Sequence, residues 1–260
     1  MPAPEADLRL LEDAARQAGQ IAMRFWRRDP ESWDKGGDAG PVTEADLAVN
    51  AHLEQLLRAA RPDYGWLSEE SEADPSRLDA QHCFIIDPID GTRAFIDGQE
   101  GFSHSLAVAT GDRITAAAVF LPARDLLYTA HADGPALLNG KPIAASDRRQ
   151  IRDATVLTYR AATEPQNWES GRVPPFRREF RPSLAWRLCL VAEGRFDAAL
   201  SLRDAWEWDI AAGTLIAERA GAVATDRRGQ RLRFNGPRAA LDGMVVAGPA
   251  LHRELTAALA

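Results

Sequence analysis

Four apolar residues, Cys83-Phe84-Ile85-Ile86, run directly into Asp87-Pro88-Ile89-Asp90-Gly91-Thr92. A short apolar run of this kind reads as a buried strand. A buried strand that ends in two carboxylates constrains everything packed around it, because unpaired charge is costly in a dry interior. One reading is a plain turn: Pro88 presets one backbone angle, and Asp90-Gly91 is a common turn pair. The other is a strand that delivers charge to a site. The choice rests on what the remainder of the chain places nearby.

Leu8, Leu11, Ala15, Ala18, Ile21, Ala22 and Phe25 recur at steps of three and four. That spacing predicts an amphipathic helix over about residues 5–28. "DPESWDKGGDAGP" follows as a loop, and a second helix, "TEADLAVNAHLEQLLRAA", stops at Arg61-Pro62. Strand-like runs come next: "YGWLS", "CFIID", "HSLAVAT", "ITAAAVFLP" and "LLYTA", with Asn139-Gly140 marking a hairpin. Residues 1–140 thus read as helices on an antiparallel sheet. Residues 141–260 alternate instead. "ATVLTY", "DAALS" and "MVVAG" read as strands, and "SLAWRLCLVAEG", "DIAAGTLIAERAGA" and "ALHRELTAAL" as helices. Such alternation belongs to layered α/β units. The division is expected between 135 and 152, and the Pro- and Arg-rich residues 161–182 read as a loop.

A chain of 260 residues is long enough for a large core in one unit or two closely joined ones. A net charge of -7 argues against a nucleic-acid polymer or a membrane surface as partner. An acidic protein acting on an anionic substrate would need local cations, and bound metal ions are one solution. Cys83 and Cys189 both sit in apolar runs and read as buried free thiols. The first 20 residues lack a basic segment followed by an apolar core. No run approaches the roughly 18 apolar residues of a membrane span. A soluble cytoplasmic protein is the expectation.

Acids flank apolar runs at four places: Asp46 in "VTEAD", Glu69 and Glu70 in "WLSEES", Asp87 and Asp90 in "IDPIDGT", and Asp209 in "WEWDIAAG". Each has a plainer reading. Thr43 with Asp46 resembles a capping box, Glu69-Glu70 fits a solvated loop, and Asp209 fits a helix N-cap. Together they support chemistry. Glu69 and Asp87 each end an apolar strand, so neighbouring strands could bring them close. Crowded carboxylates repel unless their pKa values shift or they bind cations. Hard divalent cations take such oxygen ligands, and two of them about 3.5–4 Å apart can clamp a phosphoryl displacement. Gly91 and Thr92 then open a short segment, "TRAF", whose first N–H groups would suit an anion.

"DPIDGT", "SEES" after an apolar strand, and "WDIAAG" resemble, in order and spacing, the three signatures of the inositol monophosphatase superfamily. The likeness runs from Lys35 to about Gly221. It implies a layered αβαβα sandwich and a phosphatase that uses two or three magnesium ions and is inhibited by lithium. Glu69 matches a metal ligand that also orients the attacking water. Asp87 matches a bridging ligand, the carbonyl of Ile89 a backbone ligand, and Asp90 and Asp209 ligands of a second metal. Thr92 and Asp46 match the pair that activates water, and Lys35 matches a loop lysine near the metals. Ser68 departs from the family, which usually has glycine there.

"SLAWRLCLVAEG" aligns with the helix lining the substrate pocket, so Ser183 and Arg187 join Asp90, Gly91, Thr92 and Asp209 as expected substrate contacts. Arg187 occupies a position where the bisphosphate nucleotidases resemble one another in carrying lysine, and Glu207 before Trp208 resembles their form of the last signature. A guanidinium there would suit a second phosphate; the plainer reading is a solvated helix face. The family's acidic contact to inositol hydroxyls has no counterpart, since Leu202 stands near its place. The sequence therefore favours a nucleotidase acting on adenosine 3',5'-bisphosphate. Inositol monophosphatase, then histidinol phosphatase, are the alternatives, and a silent polyanion-binding protein is the non-enzymatic one. The expected partner is a small phosphorylated metabolite, with a homodimer open.

Overall fold

Helix α1 (Pro4–Ala22) buries Leu8, Leu11, Ala15, Ala18 and Ala22 along one stripe, as its spacing demands. The computed structural model describes residues 3–36 and 40–260. The helix ends at Ala22, short of residue 28. The chain turns through Met23–Arg28, and Arg27 leaves the helical region (φ 59°) with its guanidinium over Trp26 and its Nε donating to Gly98 O. Two short strands, β1 (Ser32–Asp34) and β2 (Pro41–Thr43), pair before helix α2 (Glu44–Ala60).

Strands β3 (Gly65–Ser68), β4 (His82–Asp90), β5 (Ser103–Thr110), β6 (Arg113–Leu121), β7 (Leu126–His131), β8 (Leu137–Leu138) and β9 (Lys141–Pro142) form one sheet in that order. Helix α3 (Thr92–Ile96) lies between β4 and β5. The sheet is antiparallel except at β3–β4, which run parallel. That exception matters: parallel neighbours both end at the same edge, so Glu69 after β3 and Asp87 on β4 emerge side by side. Asn139 (φ 48°) and Gly140 (φ 76°) form the two-residue hairpin turn between β8 and β9, as Asn-Gly favours.

The second sheet follows the order β11-β10-β12-β16-β14, from β10 (Thr155–Thr158), β11 (Arg177–Glu179), β12 (Ala198–Ser201), β14 (Val223–Thr225) and β16 (Met244–Ala247). The stretch 161–182, expected as loop, thus contains an edge strand. A small ladder joins β13 (Ala205–Trp206) to β15 (Ala240–Leu241). Helices α4 (Leu184–Ala192) and α5 (Glu207–Arg219) lie between the two sheets, and α6 (Pro249–Ala258) covers the far face. The layers are therefore α1/α2, the large sheet, α4/α5, the second sheet and α6, which is the expected αβαβα sandwich.

All nine residues of α4 are buried, as an inner-layer helix requires. It sits close to α5 at Gly213, where an added Cβ would come 2.7 Å from Leu188 Cβ. Cys83 and Cys189 are buried free thiols. Among the described residues no helix is long and apolar enough to cross a membrane.

Candidate active site

Side chains alternate across a strand, so residues three apart, such as Asp87 and Asp90, should face opposite ways. They do not. The β4–β5 ladder pairs Asp87 with Ser105 and Asp90 with Ser103, so three steps on β4 oppose two on β5. The extra residue is a bulge, and it returns Asp90 to the face of Asp87. Packing records the same switch. Ile85 belongs to the core beneath α4 and α5, whereas Ile86 and Ile89 both belong to the core beneath α1 and α2.

On that shared face, carboxylate oxygens of Glu69, Asp87 and Asp209 lie within 4.8 Å of one another. Glu69 is held where its N–H donates to Ile86 O (3.2 Å). Asp209 stands in the first turn of α5, whose N-cap is Trp206, so the N-cap reading of Asp209 fails. Asp87 is buried, and among the described residues its Oδ1 has no hydrogen-bond partner. Burial, followed by the neighbouring acids, holds the carboxyls of Asp87 and Asp209 well above the usual carboxylate range. Burial raises Glu69 to about 7, against the pull of Lys35. Lys35 Nζ donates to Glu69 Oε1 (2.7 Å) and Glu70 Oε1 (2.8 Å), and is the cation seated on the cluster. An orphaned buried oxygen among three hard, mutually repelling donors fits a divalent cation such as magnesium.

Asp90 stands beside this trio and turns toward α4. Its Oδ2 accepts from Ser183 Oγ and Ala185 N, both at 2.7 Å. Ser183 also caps α4, accepting from Trp186 N at 2.9 Å. With its own hydrogen given to Asp90, it is the acceptor in the 2.9 Å contact with Ser103 Oγ. The two halves are joined through this serine.

Gly91 precedes α3 at φ 96°, a conformation strained for any side chain, with Gly101 O at 3.3 Å from where a Cβ would stand. That turn aims Thr92 back at the acids. Its Oγ1 lies 3.1 Å from Ile89 O and 3.4 Å from Asp46 Oδ1. Asp46 serves two ends. Its Oδ2 accepts from Thr43 N (2.8 Å) and Thr43 Oγ1 (2.5 Å), completing a capping box, which leaves Oδ1 facing Thr92. Burial raises Asp46 to about 6, so it is ionised at neutral pH and able to accept.

One expectation is corrected. Arg187 has no exposed surface. Its Nε donates to Arg181 O (2.5 Å) and Nη2 to Pro182 O (3.2 Å), and its guanidinium lies 4.3 Å from the Tyr159 ring and 4.4 Å from that of Phe180. It is neither solvated nor an open anion contact. Glu207 is taken up by the chain itself, its carboxylate accepting from the N–H groups of Asn235 (2.6 Å) and Gly236 (2.8 Å). Leu202 lines a cavity of about 160 Å³ with Thr158, Tyr159 and Arg203.

Sequence reading missed Asn50. Its Oδ1 accepts from Ser68 Oγ (2.7 Å), and its Nδ2 donates to Ser71 Oγ and Glu70 O. Ser68 therefore ties the Glu69-Glu70 turn to α2 through a bond that glycine could not make. The available signal was the four-residue step from Asp46 to Asn50, which puts both on one helix face.

Residues 4–260 match the inositol monophosphatase family. It belongs to that family. The members are phosphatases, and so is this chain. An inositol-1-monophosphatase of Rhizobium meliloti is 37% identical over 87% of this chain and 88% of its own. A histidinol-phosphatase of Chlorobaculum parvum is 31% identical over 97% and 96%. The crystal structure of the extragenic suppressor protein suhB from Bartonella henselae superposes with a TM-score of 0.82, at 28% identity, covering 97% of each chain.

Proposed function

We propose that this phosphatase hydrolyses the phosphomonoester of a small metabolite with magnesium held by Glu69, Asp87, Asp90, Asp209 and the carbonyl of Ile89. The observation that carries the reading is the unpartnered Asp87 Oδ1 within the Glu69–Asp87–Asp209 cluster. Magnesium bound there supplies a polarised phosphoryl oxygen and a water of lowered pKa. The chain's own residues do the rest. Thr92 Oγ1 donates its hydrogen toward Asp46 Oδ1, which turns a lone pair toward the attacking water. Glu69 orients that water with a carboxylate oxygen. Asp90, Gly91, Thr92 and Asp209 form the corner assigned to the phosphate, and Ser183 fixes Asp90 from behind.

Substrate preference moves with Arg187. The bisphosphate reading rested on Arg187, on Glu207 and on the missing acidic contact near Leu202. The guanidinium is engaged and covered and Glu207 is taken up by Asn235 and Gly236, which leaves the missing contact as its chief remaining support. Inositol 1-phosphate therefore stands first, in keeping with the 37% identical relative. Adenosine 3',5'-bisphosphate stays second, because Arg187 Nη1 has no partner. A panel of inositol 1-phosphate, histidinol phosphate and adenosine 3',5'-bisphosphate, read as released phosphate with and without magnesium, tests both statements. The expected result is magnesium-dependent release, fastest with inositol 1-phosphate. Fastest release from the bisphosphate would restore the nucleotidase reading, and release without a divalent cation would overturn the metal assignment.

A further inference from the structure

The bulge that brings Asp87 and Asp90 to one face leaves a gap in the ladder. Pro88 has no N–H to give to the ladder, and it lies between the Asp87–Ser105 and Asp90–Ser103 pairs, where the register shifts. The residue opposite is His104. Its neighbours in register, Phe102 and Leu106, belong to the core under α1 and α2, so its side chain lies on the face away from the carboxylates. It is buried, with its ring near those of Phe102 and Phe120. From there Nδ1 meets Pro88 O at 2.5 Å.

The chemistry fixes the tautomer. A carbonyl can only accept, so Nδ1 carries the hydrogen. Nε2 is buried without a partner among the described residues, so a hydrogen there would be an orphaned donor. A bare lone pair is the cheaper state, and the ring is neutral. Burial acts the same way, lowering its pKa to about 4.

We propose that His104 is a positioning residue for the metal site, its Nδ1–H holding the Pro88 carbonyl where the ladder shifts register and so setting the separation of Asp87 and Asp90 from behind the sheet. The inference rests on the metal assignment above. Without the bond, the Pro88 carbonyl loses its donor in a dry setting, and the backbone between the two aspartates can relax. Removing a direct partner of a metal ligand typically weakens binding about 10- to 100-fold, and His104 acts one step further out, on the peptide between ligands, so the lower end of that range is expected.

The test is direct binding of Mn²⁺, a paramagnetic stand-in for magnesium, followed through the electron-resonance signal of the free ion. His104→Phe keeps an aromatic ring in an aromatic setting and deletes the donor. Its Mn²⁺ dissociation constant should rise about tenfold, the lower end of the range for partners of metal ligands. His104→Asn, whose Nδ2–H can reach from nearly the same place, should bind more tightly than His104→Phe. Unchanged binding by His104→Phe, or equal losses in both variants, would overturn the proposal while leaving the metal assignment intact. No binding by the wild type would overturn both. If His104→Phe does not fold, the tautomer in the wild type decides: a ¹H–¹⁵N spectrum should show the hydrogen on Nδ1 of a neutral ring, and a hydrogen on Nε2 would refute the bond.

Discussion

The two large sheets treat the acids at their strand ends differently: one holds Asp197 by itself, and the other ends in a cluster to which Asp209 of α5 contributes. Asp197, just before β12, is fully served by the protein. Its Oδ1 accepts from Ser146 Oγ (2.7 Å), and its Oδ2 from Thr155 N (2.8 Å) and Thr155 Oγ1 (2.9 Å). Despite the cost of burial, those donors hold its pKa below the usual value. Glu69, Asp87 and Asp209 face one another at the end of the first sheet, and their pKa values rise. Asp197 is a structural acid that the fold completes. The cluster is left incomplete by the protein, and its repulsion is relieved by protonation, as the raised pKa values record, or by a bound cation.

That contrast breaks most visibly at Asp87. Asp87→Asn should lower kcat at least about 10³-fold even in saturating magnesium, since a metal contributes several kcal/mol to such transition states and each tenfold is 1.36 kcal/mol. The same variant should melt higher than wild type when both are metal-free, because it removes a repelling charge. A lower metal-free Tm would mean that Asp87 is satisfied as Asp197 is. Thr92→Val should cost roughly 10²-fold in kcat with KM nearly unchanged, the scale of a lost proton-transfer partner. A raised KM with kcat unchanged would mean that Thr92 only holds the phosphate and does not activate the water. Asp197→Asn should do the reverse of Asp87→Asn, losing about 1.5–3 kcal/mol of stability, as for hydrogen bonds to a charged group, with kcat unchanged. Urea unfolding and steady-state rates separate the two.

The smallest effect is one of pH. An acid whose pKa is raised by folding binds more protons folded than unfolded, so it destabilises the fold only at higher pH. For Glu69 the penalty is absent below its ordinary 4.5, grows as pH rises, and is complete above about 7. Metal-free wild type should therefore lose a few degrees of Tm between pH 5 and 8 relative to Glu69→Gln, and saturating magnesium should abolish the difference. A pH-independent difference would deny the raised pKa.

Much of this contrast is legible in the sequence. Glu69, Asp87, Asp90, Thr92 and Asp209 announce themselves because each abuts an apolar run or a glycine turn. The bulge at Pro88 does not, because odd spacing shows only that two residues face apart until pairing with β5 is known. His104 is invisible for the same reason, being one polar residue in an apolar strand whose partner lies 16 positions earlier. Strand β11, "RRE", is exposed at all three positions and has no alternation to detect. The early end of α1 escapes because Phe25 continues the apolar spacing, while tertiary bonds from Trp26 and Arg27 to Gln99 O and Gly98 O unwind the last turns. Arg187 was misread because helix periodicity does not reveal that α4 is covered on every side.

The most direct test of the cluster is anomalous diffraction from crystals soaked in Mn²⁺, compared at the two kinds of acid. The account requires a peak within coordination distance of Asp87 Oδ1, shared with Glu69 or Asp209, and none at Asp197. A soaked crystal with Asp87 Oδ1 still bare, or with manganese bound at Asp197 instead, would contradict it.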